Sequence, residues 1–184
     1  MRVVTISGSP SERSRTARLA EHVNAELRAE GIAASHIRIA DLPPQALLSA
    51  DLGEPALARA VETVASADGV VIVTPIFKAS FSGLLKVFLD ALPQYALRGK
   101  SVLPLATGGT LAHVLALDYA LRPVLQSMDA YHVVKCYFLL DTWFGGHETL
   151  LTNDRANLEL PEVIAVFRRS LQLLTERQPA EAGG

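Results

Sequence analysis

Two rhythms of apolar residues alternate along this chain. Val3-Val4-Thr5-Ile6, Val70-Val71-Ile72-Val73-Thr74 and Ser101 to Ala106 are short, mostly apolar runs, the first two β-branched throughout, the pattern of strands covered on both faces. Between them the spacing turns helical. Residues 17–30 put Ala20, Val23 and Leu27 on one stripe, with Glu21, Arg28 and Glu30 off it and Gly31 as a C-cap. Pro55 sits at the first turn of a helix carrying Leu57, Val61 and Val64. Ser82-Gly83 open another, with Leu84, Leu85, Phe88 and Leu89 on its buried side and Pro93 at its end. A long helix is expected over 111–127 and a last one from Pro161 to Glu176. His36 to Ala40 form a shorter, more polar strand suited to a sheet edge, and Tyr131 to Leu140 the final strand. Pro75 is expected to close the third strand. Residues 45–54 read as a loop with a short helical turn, 141–159 as irregular, and 179–184 as a frayed tail.

The resulting β-α repetition implies a parallel sheet with helices on both faces. Five strands fit the order 2-1-3-4-5, a flavodoxin-like α/β fold in a single domain over 1–178. The totals agree: 184 residues, 49% hydrophobic and 20% charged, with net charge −2. There is no basic excess for nucleic acid and no apolar run of membrane-spanning length. Arg2 leads directly into strand-like sequence, so a cytoplasmic protein without a signal peptide is expected. The single cysteine, Cys136, lies in an apolar run and reads as buried and inert. The five histidines show no metal-ligand spacing, so no metal is expected.

In such sheets, ligands bind beyond the carboxyl ends of the strands. Three unusual loops fall there. The first strand delivers Ser9-Pro10-Ser11-Glu12-Arg13-Ser14-Arg15-Thr16, a loop of small and hydroxyl residues entering a helix. Its N–H groups, hydroxyls, helix dipole and two arginines suit a terminal phosphate. It lacks both the Gly-Lys-Ser/Thr ending of nucleotide-triphosphate loops and the G-x-G-x-x-G fingerprint. The third strand delivers Pro75 to Gly83, with an aromatic, a cation and hydroxyls. The fourth delivers Thr107-Gly108-Gly109-Thr110, where backbone can approach a planar ring. A phosphate at one end and a flat hydrogen-bonding aromatic at the other describe FMN.

The helix after Thr110 breaks its own pattern. Leu111, Val114 and Leu115 make a stripe, Asp118 takes its next place, and the spacing resumes at Leu121, Val124 and Leu125. Pro123 has no N–H for the Tyr119 carbonyl, so a bulge or kink is expected.

Taken together these blocks resemble the flavodoxin-like NAD(P)H-dependent FMN reductases, most closely the subgroup serving alkanesulfonate desulfonation. The likeness rests on Ser7-Gly8-Ser9-Pro10 with Ser14-Arg15-Thr16, on Thr74 to Gly83 with Leu85-Lys86, on Leu103 to Thr110, and on His113 with Asp118 to Leu125. It runs from about residue 2 to 127 and fades after Tyr131. The resemblance implies FMN-phosphate contacts at Ser9, Arg13, Ser14, Arg15 and Thr16. It implies isoalloxazine contacts at Pro75, Ile76, Phe77 and Lys78, with Ser82 and Gly83 starting the helix behind. It places the pyrimidine side at Thr107, Gly108, Gly109 and Thr110. Many broader relatives have Asn in place of Lys78; the lysine agrees with the sulfonate subgroup. It implies a π-bulge at Tyr119 in a tetramer interface near the flavin, in a homotetramer or homodimer. The expected activity is hydride transfer from NADPH or NADH to flavin N5, with no catalytic acid–base residue. The reduced FMN would pass to a partner monooxygenase. A quinone or azo-compound reductase with tightly held FMN, and a flavodoxin-like electron carrier, are the alternatives.

Overall fold

The computed structural model describes residues 1–11, 14–146 and 149–181. Its sheet is built from β1 (Arg2–Ser7), β2 (Ala33–Arg38), β3 (Gly69–Phe77), β4 (Ser80–Phe81), β5 (Ser101–Gly108), β6 (His132–Val133) and β7 (Tyr137–Leu140). The helices are α1 (Arg15–Ala29), α2 (Pro44–Ser49), α3 (Pro55–Ala65), α4 (Gly83–Ala91), α5 (Arg122–Ser127) and α6 (Asp154–Glu181). The central path runs β2-β1-β3-β5-β6, with β7 continuing beside β5 and β4 folded back on β3. The β2-β1-β3-β5 pairs and both edge pieces are parallel, so the sheet has the expected flavodoxin-like order.

The alternation within the strands explains the two layers. Val4, Ile6, Val70, Ile72, Val102 and Ala106 point into one core, shared with α3, α4 and α5. Val3, Val71, Val73, Leu103 and Leu105 point into the other, against Leu19, Val23 and Leu27 of α1 and Ala156, Leu160, Ile164, Phe167 and Leu171 of α6. Every residue of β3 up to Ile76 is buried, as a central strand covered on both faces requires.

Four expectations are corrected. The sheet has seven strand segments rather than five. Part of this is the last strand, which is cut in two. Val102 faces Val133 and Leu105 faces Tyr137, three steps along β5 against four along the edge, so the edge carries one extra residue as a bulge. The Arg122 guanidinium occupies the gap, donating to the carbonyls of Val133 (2.9 Å) and Val134 (3.2 Å). The other extra segment is β4. Pro75 does not end β3, which continues to Phe77 and turns back through Lys78-Ala79 into β4. β1 stops opposite Val73, so on that side Pro75 has no neighbouring strand asking for an N–H. The second strand is Ala33–Arg38, not His36 to Ala40, because Ile39–Asp41 tighten into a 3-10 turn. Finally, α6 starts at Asp154, contains Pro161 and runs past Pro179 to Glu181. Its buried stripe begins at Ala156, ahead of Pro161, the start expected from sequence.

The helix expected over 111–127 is three pieces: a 3-10 turn at Leu111–His113, a π-helical turn at Leu117–Leu121, and α5. The π turn closes with the Arg122 N–H on the Leu117 carbonyl. It covers the misplaced Asp118 and the carbonyl that Pro123 leaves unbonded, the two signals that called for a bulge.

Candidate active site

The three loops meet. A cleft of about 200 Å³ at the carboxyl ends of the strands is lined by Ser9, Ser11, Ser14, Arg15 and Thr16, by Pro75, Ile76 and Phe77, and by Thr107, Gly108, Gly109 and Asp141. The first group is built by the β1–α1 turn. The Ser14 hydroxyl caps α1 by accepting from the Ala17 N–H (3.0 Å) and lies 2.9 Å from the Thr16 hydroxyl. The Ser9 hydroxyl accepts from the Ser11 N–H at 3.2 Å. Hydroxyls, the positive end of a helix and the Arg15 guanidinium thus share one end of the cleft.

The loop is held against the sheet by a buried chain of contacts. The Gly8 N–H donates to the Val73 carbonyl (2.9 Å), and the Ser82 hydroxyl donates to the Gly8 carbonyl (2.5 Å) while capping α4 through the Leu85 N–H (3.1 Å). The Ser82 N–H in turn bonds the Thr74 hydroxyl (3.1 Å). A Cβ on Gly8 would come within 2.8 Å of the Leu85 Cβ, so only glycine lets α4 pack this close.

The other end is flat and apolar. Gly108 packs under Phe138, whose ring would be 2.9 Å from an added Cβ, and Gly109 has open space in that position. Phe77 stands over the opening, 52% exposed. Beyond it, Lys78 and Ala79 form a two-residue hairpin turn with φ of 50° and 61°. Positive φ at both centres is the type I′ turn, which normally takes Asn-Gly.

Of the residues singled out from sequence, Ser9, Ser14, Arg15, Thr16, Pro75, Ile76, Phe77, Thr107, Gly108 and Gly109 line the cleft. Lys78 is at the hairpin tip, Ser82 and Gly83 are behind the loop in the α4 cap, and Thr110 caps the following turn through the Ala112 N–H (3.3 Å). Tyr119 is on the π turn, 78% exposed, and that turn packs on β4. Arg13 lies outside the described residues. Sequence reasoning missed Ser11 and Asp141. Ser11 was visible in the same loop; Asp141 lay in a segment without a period, and only the pairing of Leu140 with Gly108 brings it to this edge.

A larger groove, about 790 Å³, lies across α1 and the loop before α6. Two of its polar groups, Arg18 and His36, are already engaged. Arg18 donates to the carbonyls of Gly145, Gly146 and Thr149. His36 lies between Glu21 Oε1 (2.6 Å) and the Ser7 hydroxyl (2.9 Å). Cys136 is away from the cleft. Burial pushes its thiol up to about 12, against the lowering effect of the Arg122 guanidinium, so it is a thiol and not a nucleophile at neutral pH. Among the described residues no cluster of His, Cys, Asp or Glu could hold a metal, and no helix is long and apolar enough to cross a membrane.

A doubly wound sheet with a hydroxyl-lined helix N-terminus facing a glycine-floored slot is the architecture of the flavodoxin-like proteins. Residues 1–145 match the model of the NADPH-dependent FMN reductase family. The chain is 44% identical over 142 residues to an FMN reductase (NADPH) of Escherichia coli, covering 77% of this chain and 74% of that one. It is 37% identical over 134 residues to the NADH-dependent FMN reductase SfnE of Pseudomonas putida, covering 71% and 72%. Among solved structures, an NADH:FMN oxidoreductase (EMOB) in its apo form superposes with a TM-score of 0.87 at 49% identity, over 92% of this chain and 89% of that one. The chain belongs to the NADPH-dependent FMN reductase family: it is an oxidoreductase that works with FMN and NADPH or NADH.

Proposed function

We propose that this chain reduces FMN as an exchangeable substrate and hands the reduced flavin to a separate monooxygenase, in the acquisition of sulfur from sulfonates within the cytoplasm. The observation that carries the reading is the convergence of three loops on one cleft, rich in hydroxyls at the α1 end and flat at the Phe77–Gly109 end. When bound, the flavin supplies the hydride-accepting chemistry itself. The chain's own part is to position it. Ser9, Ser14, Thr16 and Arg15 hold the phosphate end. Pro75, Ile76 and Phe77 border one side of the ring, and Thr107 to Gly109 offer main chain to the other. Ser82 and Thr110 act one step removed, by fixing the loops. The sulfonate setting rests on the resemblance carried by Lys78 and the Tyr119 helix.

A second copy of the chain completes the site in this reading. The cleft of about 200 Å³ is smaller than the ~300 Å³ at which small-molecule pockets usually begin. Beside it Leu111, Val114, Leu115 and Tyr119 form an exposed apolar face, and the Nδ1 of His113 is buried there with no hydrogen-bond partner among the described residues. Such a patch suits self-association, as a dimer or tetramer.

The test is oxidation of NADPH and of NADH by purified protein freed of flavin, with and without added FMN. Turnover that requires FMN and saturates with it is the expected result, and it also ranks the coenzymes. Full turnover without added FMN, seen only with a quinone or azo dye, would replace this reading with that of a reductase keeping its flavin.

A further inference from the structure

Asp141 sets a carboxylate beside Arg15, the described cation assigned to the phosphate. Leu140, at the end of β7, pairs with Gly108, so the next residue opens a 3-10 turn at the ligand edge of the sheet. Asp141 Oδ1 lies 3.8 Å from Arg15 Nη1, and both side chains line the cleft. Among the described lining residues, Arg15 is the one cation and Asp141 the one anion, so their formal charges cancel. A phosphate monoester carries about −1.5 to −2 at neutral pH. At the N-terminus of α1 it would have hydroxyls and the helix dipole, but it would share Arg15 with a carboxylate and face that carboxylate's charge.

We propose that Asp141 weakens the hold on the phosphate of flavin mononucleotides, and so makes the flavin exchangeable rather than resident. This rests on the phosphate-end reading above. Asp141 needs no proton transfer for this role. It acts as a fixed negative charge that lowers affinity for the phosphorylated flavin and leaves the unphosphorylated one alone. The effect is bounded by what one partly exposed charge can do, since the Asp141 side chain is 35% exposed.

The experiment measures dissociation constants of FMN and of riboflavin by fluorescence titration for the wild type, Asp141→Asn and Asp141→Glu, at low and at moderate salt. Asp141→Asn should bind FMN about three- to tenfold more tightly, with the gain shrinking as salt rises. Its riboflavin affinity should stay unchanged, and Asp141→Glu should resemble the wild type. Unchanged or weaker FMN binding in Asp141→Asn overturns the proposal. So does equal tightening of FMN and riboflavin, or loss of affinity for both, which would make Asp141 a partner of the ribityl chain. If the wild type binds FMN no better than riboflavin, the phosphate-end reading itself fails. If the wild type prefers FMN and Asp141→Asn leaves that preference unmoved, only the role of Asp141 fails.

Discussion

The two ends of the cleft are built in opposite ways. At the α1 end the hydroxyls of Ser9, Ser14 and Thr16 are buried and already hydrogen-bonded within their own loop, and the Ser82 hydroxyl on the Gly8 carbonyl keeps that loop against α4. At the hairpin end the apolar side chains of Phe77, Leu111, Leu115 and Tyr119 face outward, next to a turn with two non-glycine residues at positive φ. One end is finished inside a single chain. The other exposes apolar surface and holds strained backbone. A site that must bind one flavin reproducibly and still admit a second reactant benefits from this division.

The contrast can be broken first at its polar end. Arg15→Ala should weaken FMN by roughly ten- to a hundredfold, the ~1.5–3 kcal/mol of hydrogen bonds to a charged group, while riboflavin binding stays level. Equal loss for both flavins would mean that the arginine organises the loop rather than the phosphate. At the apolar end, Leu115→Glu places a charge in the face assigned to a second copy. It should cost association on the order of 2 kcal/mol or more, read as a shift to smaller species in sedimentation. An unchanged mass distribution would remove that face from the interface. The smallest effect is expected at the turn. Replacing Lys78-Ala79 by Asn-Gly, the pair preferred at type I′ centres, should stabilise the fold by about 1–2 kcal/mol and raise Tm by roughly 2–4 °C per kcal/mol. A flat Tm would show that the strain is already offset by contacts of the hairpin, for example with the π turn.

What could be read in advance depended on how local the signal was. The β1–α1 loop carries its own anion chemistry, because cap hydroxyls, dipole and arginine lie within a few residues of one another. The π turn announced itself through a broken stripe and a proline. The start of α6 lies ahead of Pro161 because the Ala156–Leu160–Ile164 spacing runs through the proline and outweighs it as a start signal. The split last strand was invisible, since the bulge depends on a guanidinium reaching in from Arg122.

Sequence alone determined the layering of this protein and the place of the three loops that meet in its cleft. Each of these follows from periods and caps written into neighbouring residues. Only the tertiary structure decided that β3 continues past Pro75 into a hairpin, that the Ser82 hydroxyl reaches the Gly8 carbonyl, and that Asp141 stands across from Arg15. Those facts depend on which strand ends lie side by side, and strand neighbours far apart in the chain leave no local pattern to read.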